Sequence, residues 1–159
     1  MLIRTSHATL PRTPHPHILL SPHRIFANVS RLSIPPAFQP VFNLQGSPAL
    51  VAKYGPLIAS RGIFGCYLQT ELGHGTNVGK LETTATYIPE TKEFEIHSPT
   101  ITSTKWWIGA LGKTATHGVV QAKLIIGGKD FGPHLFFVQL RSLEDHKPLP
   151  GIVIGDIGE

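Results

Sequence analysis

The sequence predicts a mainly β protein, in which six or seven short strands form a closed or nearly closed barrel, or two sheets packed face to face. From Ile63 onward, apolar and polar residues alternate with a period of two, as half-buried strands require. Clusters of turn-forming residues at positions 89–92 and 127–130 divide the alternating runs into hairpins. With 159 residues and 41% apolar side chains, the chain is long enough to build one core.

Residues 1–46 are expected to form a disordered Pro- and His-rich segment. They hold seven prolines and no acidic residue, and proline blocks both helical and ladder hydrogen bonds. The same composition also fits a transit peptide or a mis-joined reading frame, and both alternatives stay open. The four histidines of this segment are not spaced for a metal site.

A short helix is predicted over residues 47–61. Ser47 followed by Pro48 is a helix-start signal, with the serine as N-cap. The pair Gly55 and Pro56 should kink or divide this helix. Its apolar positions follow helical spacing, and we expect them to be partly exposed: Leu50, Val51, Tyr54, Leu57 and Ile58.

Residues 62–159 carry the predicted strands. The first hairpin runs from Leu81 to His97 and the second from Val120 to Leu140, and a short strand is predicted over Ile152 to Ile154. The single cysteine, Cys66, excludes an internal disulfide and is expected to be a small buried residue.

The charge distribution argues against nucleic acid as a partner of the β domain. Glu71 is the first acidic residue, and from there onward ten acidic residues oppose eight basic ones, which leaves two net negative charges. The formal charge of +4 therefore belongs to the N-terminal segment. No stretch approaches the roughly 20 consecutive apolar residues that span a membrane.

Two runs of the β domain closely resemble the flavin-facing segments of the peroxisomal acyl-CoA oxidases: GCYLQTELGHGTN at residues 65–77 and KWWIGALGKT at residues 105–114. The resemblance continues from about Ser47 to Gly158. It implies the β-barrel-like middle domain of that family, preceded by the end of its N-terminal helical domain. It also implies FAD as cofactor, fatty acyl-CoA and dioxygen as substrates, a homodimer and a peroxisomal location.

The same resemblance implies three flavin contacts, which are Thr70, Trp107 and Gly109. A hydroxyl such as that of Thr70 can both donate and accept a hydrogen bond at the polar edge of a flavin. We expect Trp106 and Trp107 to lie on a strand, where adjacent side chains point to opposite faces. Gly109, without a side chain, would let the backbone approach a planar ring closely.

No catalytic residue and no metal ligand is predicted in this chain. The resemblance implies that the catalytic glutamate of the family lies beyond Glu159, so the chain alone is expected to be inactive. Glu71 and Glu82 are interpreted as structural carboxylates. The alternative is a non-catalytic β-barrel binding module or interaction fragment, which predicts a monodisperse monomer, whereas an orphaned domain should aggregate.

Overall fold

The computed structural model describes residues 2–5 and 37–157. The elements in chain order are β1 (Leu2–Thr5), α1 (Phe38–Gln45), α2 (Pro48–Ala59), β2 (Gly65–Leu68), a short 3₁₀ helix (Val78–Lys80), β3 (Thr84–Ile88), β4 (Glu93–His97), β5 (His117–Ile126), β6 (Lys129–Gln139) and β7 (Ile152–Gly155). Strands hold more residues than helices, as the alternating pattern predicts.

Helix α2 begins as the sequence predicts. The Ser47 hydroxyl accepts a hydrogen bond from the Leu50 N–H at 3.3 Å, and Pro48 occupies the first helical position. Pro56 lies inside the helix without dividing it, so of the predicted kink or division, the division does not occur. Four of the five apolar positions are half-buried and only Ile58 is fully buried, which confirms the expected partial exposure.

Strand β5 is the centre of a five-stranded mixed sheet. β2 runs parallel to its first half, from Gly65 opposite His117 to Leu68 opposite Val120. β3 runs parallel to its second half and forms the predicted hairpin with β4. β6 pairs antiparallel with β5 along nearly its whole length, as the second predicted hairpin requires. β1 and β7 form a separate two-stranded antiparallel sheet.

The closed barrel of the prediction is not confirmed. Within residues 2–5 and 37–157, the strand order β2-β5-β3-β4, with β6 on β5, does not return to its first strand. The geometric reason is that β2 and β3 share one edge of β5, one after the other, instead of each adding a new position around a ring. The result is an open sheet with a break in one edge.

Two apolar clusters cover the sheet. One contains residues of all strands from β2 to β7 and of the segment after residue 107: Cys66, Leu68, Ala85, Ile96, Ile108, Leu111, Ala115, Val120, Ala122, Val138, Leu140 and Ile152. Cys66 is fully buried, as predicted, and burial raises the pKa of its thiol to about 12. The second cluster joins α1 and α2 to the sheet through Phe38, Phe42, Ile58, Ile63 and Val119.

Two elements lie within residues 1–46, the segment expected to be disordered. Residues 38–45 form α1, and residues 2–5 form β1. Pro40 is compatible with α1 because it lies in the first turn, where its missing N–H costs no helical hydrogen bond. The helix is held by Phe38 and Phe42, which are both buried. Residues 6–36, and the prediction made for them, lie outside the described residues.

Candidate functional site

The candidate site lies at the gap between β2 and β3, which pair with successive stretches of the same edge of β5. Val120 is the last residue of β5 paired with β2, and Lys123 is the first paired with β3. Between them the chain leaves the sheet at residue 69 and returns at residue 83. This excursion pairs with a second loop, through Leu72 N to Thr104 O at 2.8 Å and Gly73 N to Thr102 O at 2.9 Å. We call residues 69–77 and 100–109 together the loop pair.

Gly73 is required by the packing of the loop pair. A Cβ atom at this position would lie 2.8 Å from Cβ of Thr102, which is closer than two non-bonded carbon atoms can approach. The two loops therefore contact each other backbone to backbone. Gly75, by contrast, faces open space.

Thr70 lies two residues beyond the end of β2, on the loop pair. Its carbonyl accepts a hydrogen bond from Trp106 N–H at 2.9 Å, so the segment with the first predicted flavin contact touches the segment with the other two. The side chain is half-buried, and its hydroxyl makes no hydrogen bond within the described part of the chain. A hydroxyl in that position is available to a ligand.

The two tryptophans do not lie on a strand, and this prediction is wrong. In this segment only Lys105 takes part in β pairing, through an isolated bridge with Glu71. The chain turns after it. Trp107 has φ of 47°, in the left-handed region that bulky residues rarely adopt. Trp106 is half-buried, whereas 70% of Trp107 is exposed, so the two side chains do have different environments.

Gly109 is exposed, in the turn that follows the tryptophans. A Cβ atom built on it would meet no atom within 4 Å. A glycine was predicted here because it would let a planar ring approach closely. No group of the described chain makes such an approach. The space above Gly109 is open to a ligand.

A buried ion pair holds the base of the loop pair. Lys105 Nζ lies 3.1 Å from Glu71 Oε1, and both side chains are fully buried. The same ammonium donates to the carbonyls of Gln69 at 3.1 Å and Gln121 at 2.7 Å. Burial lowers the pKa of Lys105, and the Glu71 carboxylate opposes that change. The interpretation of Glu71 as a structural carboxylate agrees with these contacts.

Glu82 joins the outer part of the two loops. Its carboxylate accepts hydrogen bonds from the hydroxyls of Thr100 and Thr102 and lies 2.8 Å from His74 Nε2. The hydrogen bond from Thr100, with those from His74 and Thr102, lowers the pKa of Glu82 to about 2. Glu82 is thus ionised and fully engaged, which agrees with a structural role.

The histidines of the described chain do not assemble a metal site. His74, His117, His134 and His146 each have a hydrogen-bond partner in the protein. Within residues 2–5 and 37–157, no three His, Cys, Asp or Glu side chains come together as metal ligands.

Among the same residues, no helix is long and apolar enough to cross a membrane.

The three predicted flavin contacts on the loop pair have different surroundings. Trp107 offers an exposed aromatic face, Gly109 leaves open space beside it, and Thr70 offers a hydroxyl without a partner in the described chain. Leu72 and Ile101, on the same two loops, are also exposed. An aromatic face, an apolar surface and a free hydroxyl are the groups that bind the ring of a flavin.

Sequence reasoning missed the two buried cations near this site. Besides Lys105, Arg141 is buried and donates to the carbonyls of Leu111, Gly112 and Ala115, in the turn after Gly109. A signal for Lys105 was present, because it is the only charged residue between position 96 and Lys113. Nothing in the alternating pattern marks Arg141.

Comparisons with known proteins point to a single family. No protein-family model matches the chain. The chain is 59% identical to peroxisomal acyl-coenzyme A oxidase 1 of Arabidopsis thaliana over 121 residues, which are 76% of this chain and 18% of the relative. Its fold is similar to the solved structure of acyl-CoA oxidase 1 of Arabidopsis thaliana, with a TM-score of 0.76 and 57% identity over 78% of this chain and 19% of that one.

A second solved structure is similar to the same extent. It is acyl-CoA oxidase-1 of Caenorhabditis elegans, complexed with FAD and ATP, with a TM-score of 0.75 and 54% identity over 77% of this chain and 19% of that one. The chain thus spans about a fifth of the length of the proteins that it matches.

Proposed function

This chain is homologous to the peroxisomal acyl-CoA oxidases over about three quarters of its length, and we propose that it supplies the flavin- and substrate-facing β domain of such an enzyme. The reaction is the FAD-dependent α,β-dehydrogenation of a fatty acyl-CoA to the trans-2-enoyl-CoA, in fatty-acid β-oxidation. The location is the peroxisome, as the names of the relatives suggest, and the complete enzyme is a homodimer.

The observation that carries this proposal is the open surface of the loop pair at Thr70, Trp107 and Gly109. When bound, FAD would supply the two-electron oxidation of the acyl thioester, with dioxygen as the final electron acceptor and hydrogen peroxide as the second product. The chain's own contribution is to bind and orient the ring. Trp107, the backbone at Gly109 and the Thr70 hydroxyl would hold the ring, the tryptophan through its aromatic face and the threonine through a hydrogen bond.

The carboxylates of Glu71, on the loop pair, and of Glu82, beside it, serve the scaffold in this proposal. Removal of the α-proton of a thioester needs a base whose pKa lies near the working pH. Glu71 is buried against Lys105, and the pKa of Glu82 is about 2, so neither suits that step. Neither carboxylate therefore serves as the base in this proposal.

Equilibrium binding of FAD to the purified chain tests this function. We expect the wild-type chain to bind FAD and the substitutions Thr70→Ala and Trp107→Ala each to weaken binding about tenfold, since each removes one direct contact. The matched control is Phe131→Ala, which removes another exposed aromatic ring, on β6. Absence of binding, or equal affinity in all three variants, would refute the proposal.

A further inference from the structure

Lys105 fills the break in the edge of β5. Gln121 lies in the stretch of β5 that is paired with neither β2 nor β3. The ammonium of Lys105 donates to its carbonyl at 2.7 Å and to the carbonyl of Gln69, just beyond β2, at 3.1 Å. A side chain thus replaces the missing strand at the point where the first loop leaves the sheet.

Glu71 connects that point to the place where the same loop returns. Its Oε1 accepts from Lys105, and its two oxygens also accept from the backbone N–H groups of Thr83 at 3.0 Å and Glu82 at 2.8 Å, immediately before β3. The ion pair therefore ties together the exit of the loop, its return and the centre of the sheet.

Both members of the pair adjoin the candidate flavin contacts in the chain. Glu71 follows Thr70, and Lys105 precedes the two tryptophans. The positive φ of Trp107 is unfavourable for a bulky residue and persists only where neighbouring contacts fix the backbone. The bridge between Glu71 and Lys105, with the hydrogen bond from Trp106 N to Thr70 O, lies directly before that residue.

We propose that Lys105 and Glu71 are positioning residues, which hold Thr70 and Trp107 in the arrangement that receives the flavin ring. The pair acts through the backbone of the loop pair and does not itself touch the ligand. The inference rests on the proposed function only for the identity of that ligand.

A buried ion pair contributes little net stability to a fold. Desolvation of the two charges offsets much of their attraction, and a well-packed apolar pair would stabilise the fold as well or better. An apolar pair could not, however, bond to the two strand carbonyls and the two N–H groups that Lys105 and Glu71 engage. The hydrogen bonds define one loop geometry, which is what a positioning role requires.

The two tryptophans of the chain make this inference testable without a ligand. Because both lie at positions 106–107, intrinsic tryptophan emission reports the second loop alone. We would compare the wild-type chain with Glu71→Gln and with the double variant Lys105→Met/Glu71→Gln, which leaves no unpaired buried charge. The measurements are tryptophan emission and its quenching by acrylamide, far-ultraviolet circular dichroism, and the dissociation constant for FAD.

We expect both variants to keep the circular dichroism of the sheet, to change their tryptophan emission and quenching, and to bind FAD about tenfold more weakly. The control is Ile58→Ala, which destabilises the second apolar cluster away from the loop pair and should leave emission and affinity unchanged. If the double variant does not fold, the comparison of Glu71→Gln with wild type decides the positioning role. This variant keeps the size of the side chain and one oxygen acceptor.

Folded variants with wild-type emission, quenching and FAD affinity would overturn the positioning role. Equal changes in the Ile58→Ala control would do the same, since they would trace the effect to general destabilisation. If the wild-type chain binds no FAD, the proposed function fails, and the tryptophan measurements still decide whether the ion pair positions the loop.

Discussion

His117, the first residue of β5, is a buried histidine in an aromatic environment. Its ring stacks on Phe137, with centroids 5.2 Å apart, and Tyr54 lies 6.1 Å away. Its Nδ1 is 3.1 Å from the Thr116 hydroxyl. Burial lowers the pKa of His117 from 6.5 to about 4.

This shift makes the stability of the chain depend on pH. Between pH 6.5 and pH 4 the unfolded chain binds a proton at His117 that the folded chain does not, so the free energy of unfolding falls as the pH falls. The loss between pH 7 and pH 5 should be about 2 kcal/mol. Urea denaturation of wild type and His117→Leu at both pH values measures it.

The variant His117→Leu should lose much less stability than wild type on acidification. The control His134→Gln, at an exposed histidine of β6, should keep the wild-type dependence. Equal pH dependence in wild type and His117→Leu would contradict the assignment to His117.

At single positions, the sequence predicts best where the signal is local. The N-cap at Ser47 and the burial of Cys66 follow from residue type and neighbours, and both are confirmed. The partners of Lys105 come from positions 69, 71 and 121, so only the folded chain brings them together. The assignment of Thr70, Trp107 and Gly109 to a flavin stays a prediction.

Helix α1 shows how one glycine fits an element onto the sheet. Phe38 lies on Gly65 of β2, where an added Cβ atom would come within 2.1 Å of the ring. Phe42 packs on Phe137 of β6, with ring centroids 5.1 Å apart. α1 has no side-chain N-cap and only eight residues, so this packing rather than intrinsic propensity holds it in place.

The substitution Gly65→Ala should therefore displace α1. Because the added methyl group overlaps an aromatic ring, we expect a loss of roughly 1–3 kcal/mol in the free energy of unfolding. The control is Gly75→Ala, whose Cβ atom meets no atom within 4 Å. Thermal and urea denaturation measure both, and an unchanged midpoint for Gly65→Ala would refute the packing of α1 described above.

The hairpins β3-β4 and β5-β6 could be predicted because alternation and turn residues are local signals. The closure of the sheet could not, because alternation does not say which strands become neighbours. The parallel pairings of β2 and β3 with β5 join residues about 40 to 50 positions apart. Helix α1 was not predicted, because the proline-rich composition of residues 1–46 indicated disorder. The opposing signal was only the pair Phe38 and Phe42, four residues apart.

The part of the chain that the structure describes provides a sheet with an exposed loop pair on it and no free carboxylate on that loop pair. Glu71, on the loop pair, and Glu82, beside it, are both engaged by hydrogen bonds from several groups. These features suit binding and orientation of a cofactor, whereas proton abstraction needs a further group.

The purified chain, given saturating FAD and a fatty acyl-CoA, should produce hydrogen peroxide no faster than free FAD. The physical reason is that Glu71 and Glu82 are both held by several hydrogen bonds, and without a base the α-proton of the thioester is too weakly acidic to leave. A peroxide assay measures the rate, with a complete acyl-CoA oxidase as positive control. A rate well above that of free FAD would contradict this expectation.

The most direct test of the central claim is a titration of the isotope-labelled chain with FAD, followed by the backbone amide resonances. The account predicts shifts at Thr70, Trp107 and Gly109 and along the loop pair, while the turn between β5 and β6 at residues 127–128 stays unchanged. The absence of any shift, or shifts confined to other parts of the sheet, would contradict the claim that this chain presents the loop pair to a flavin.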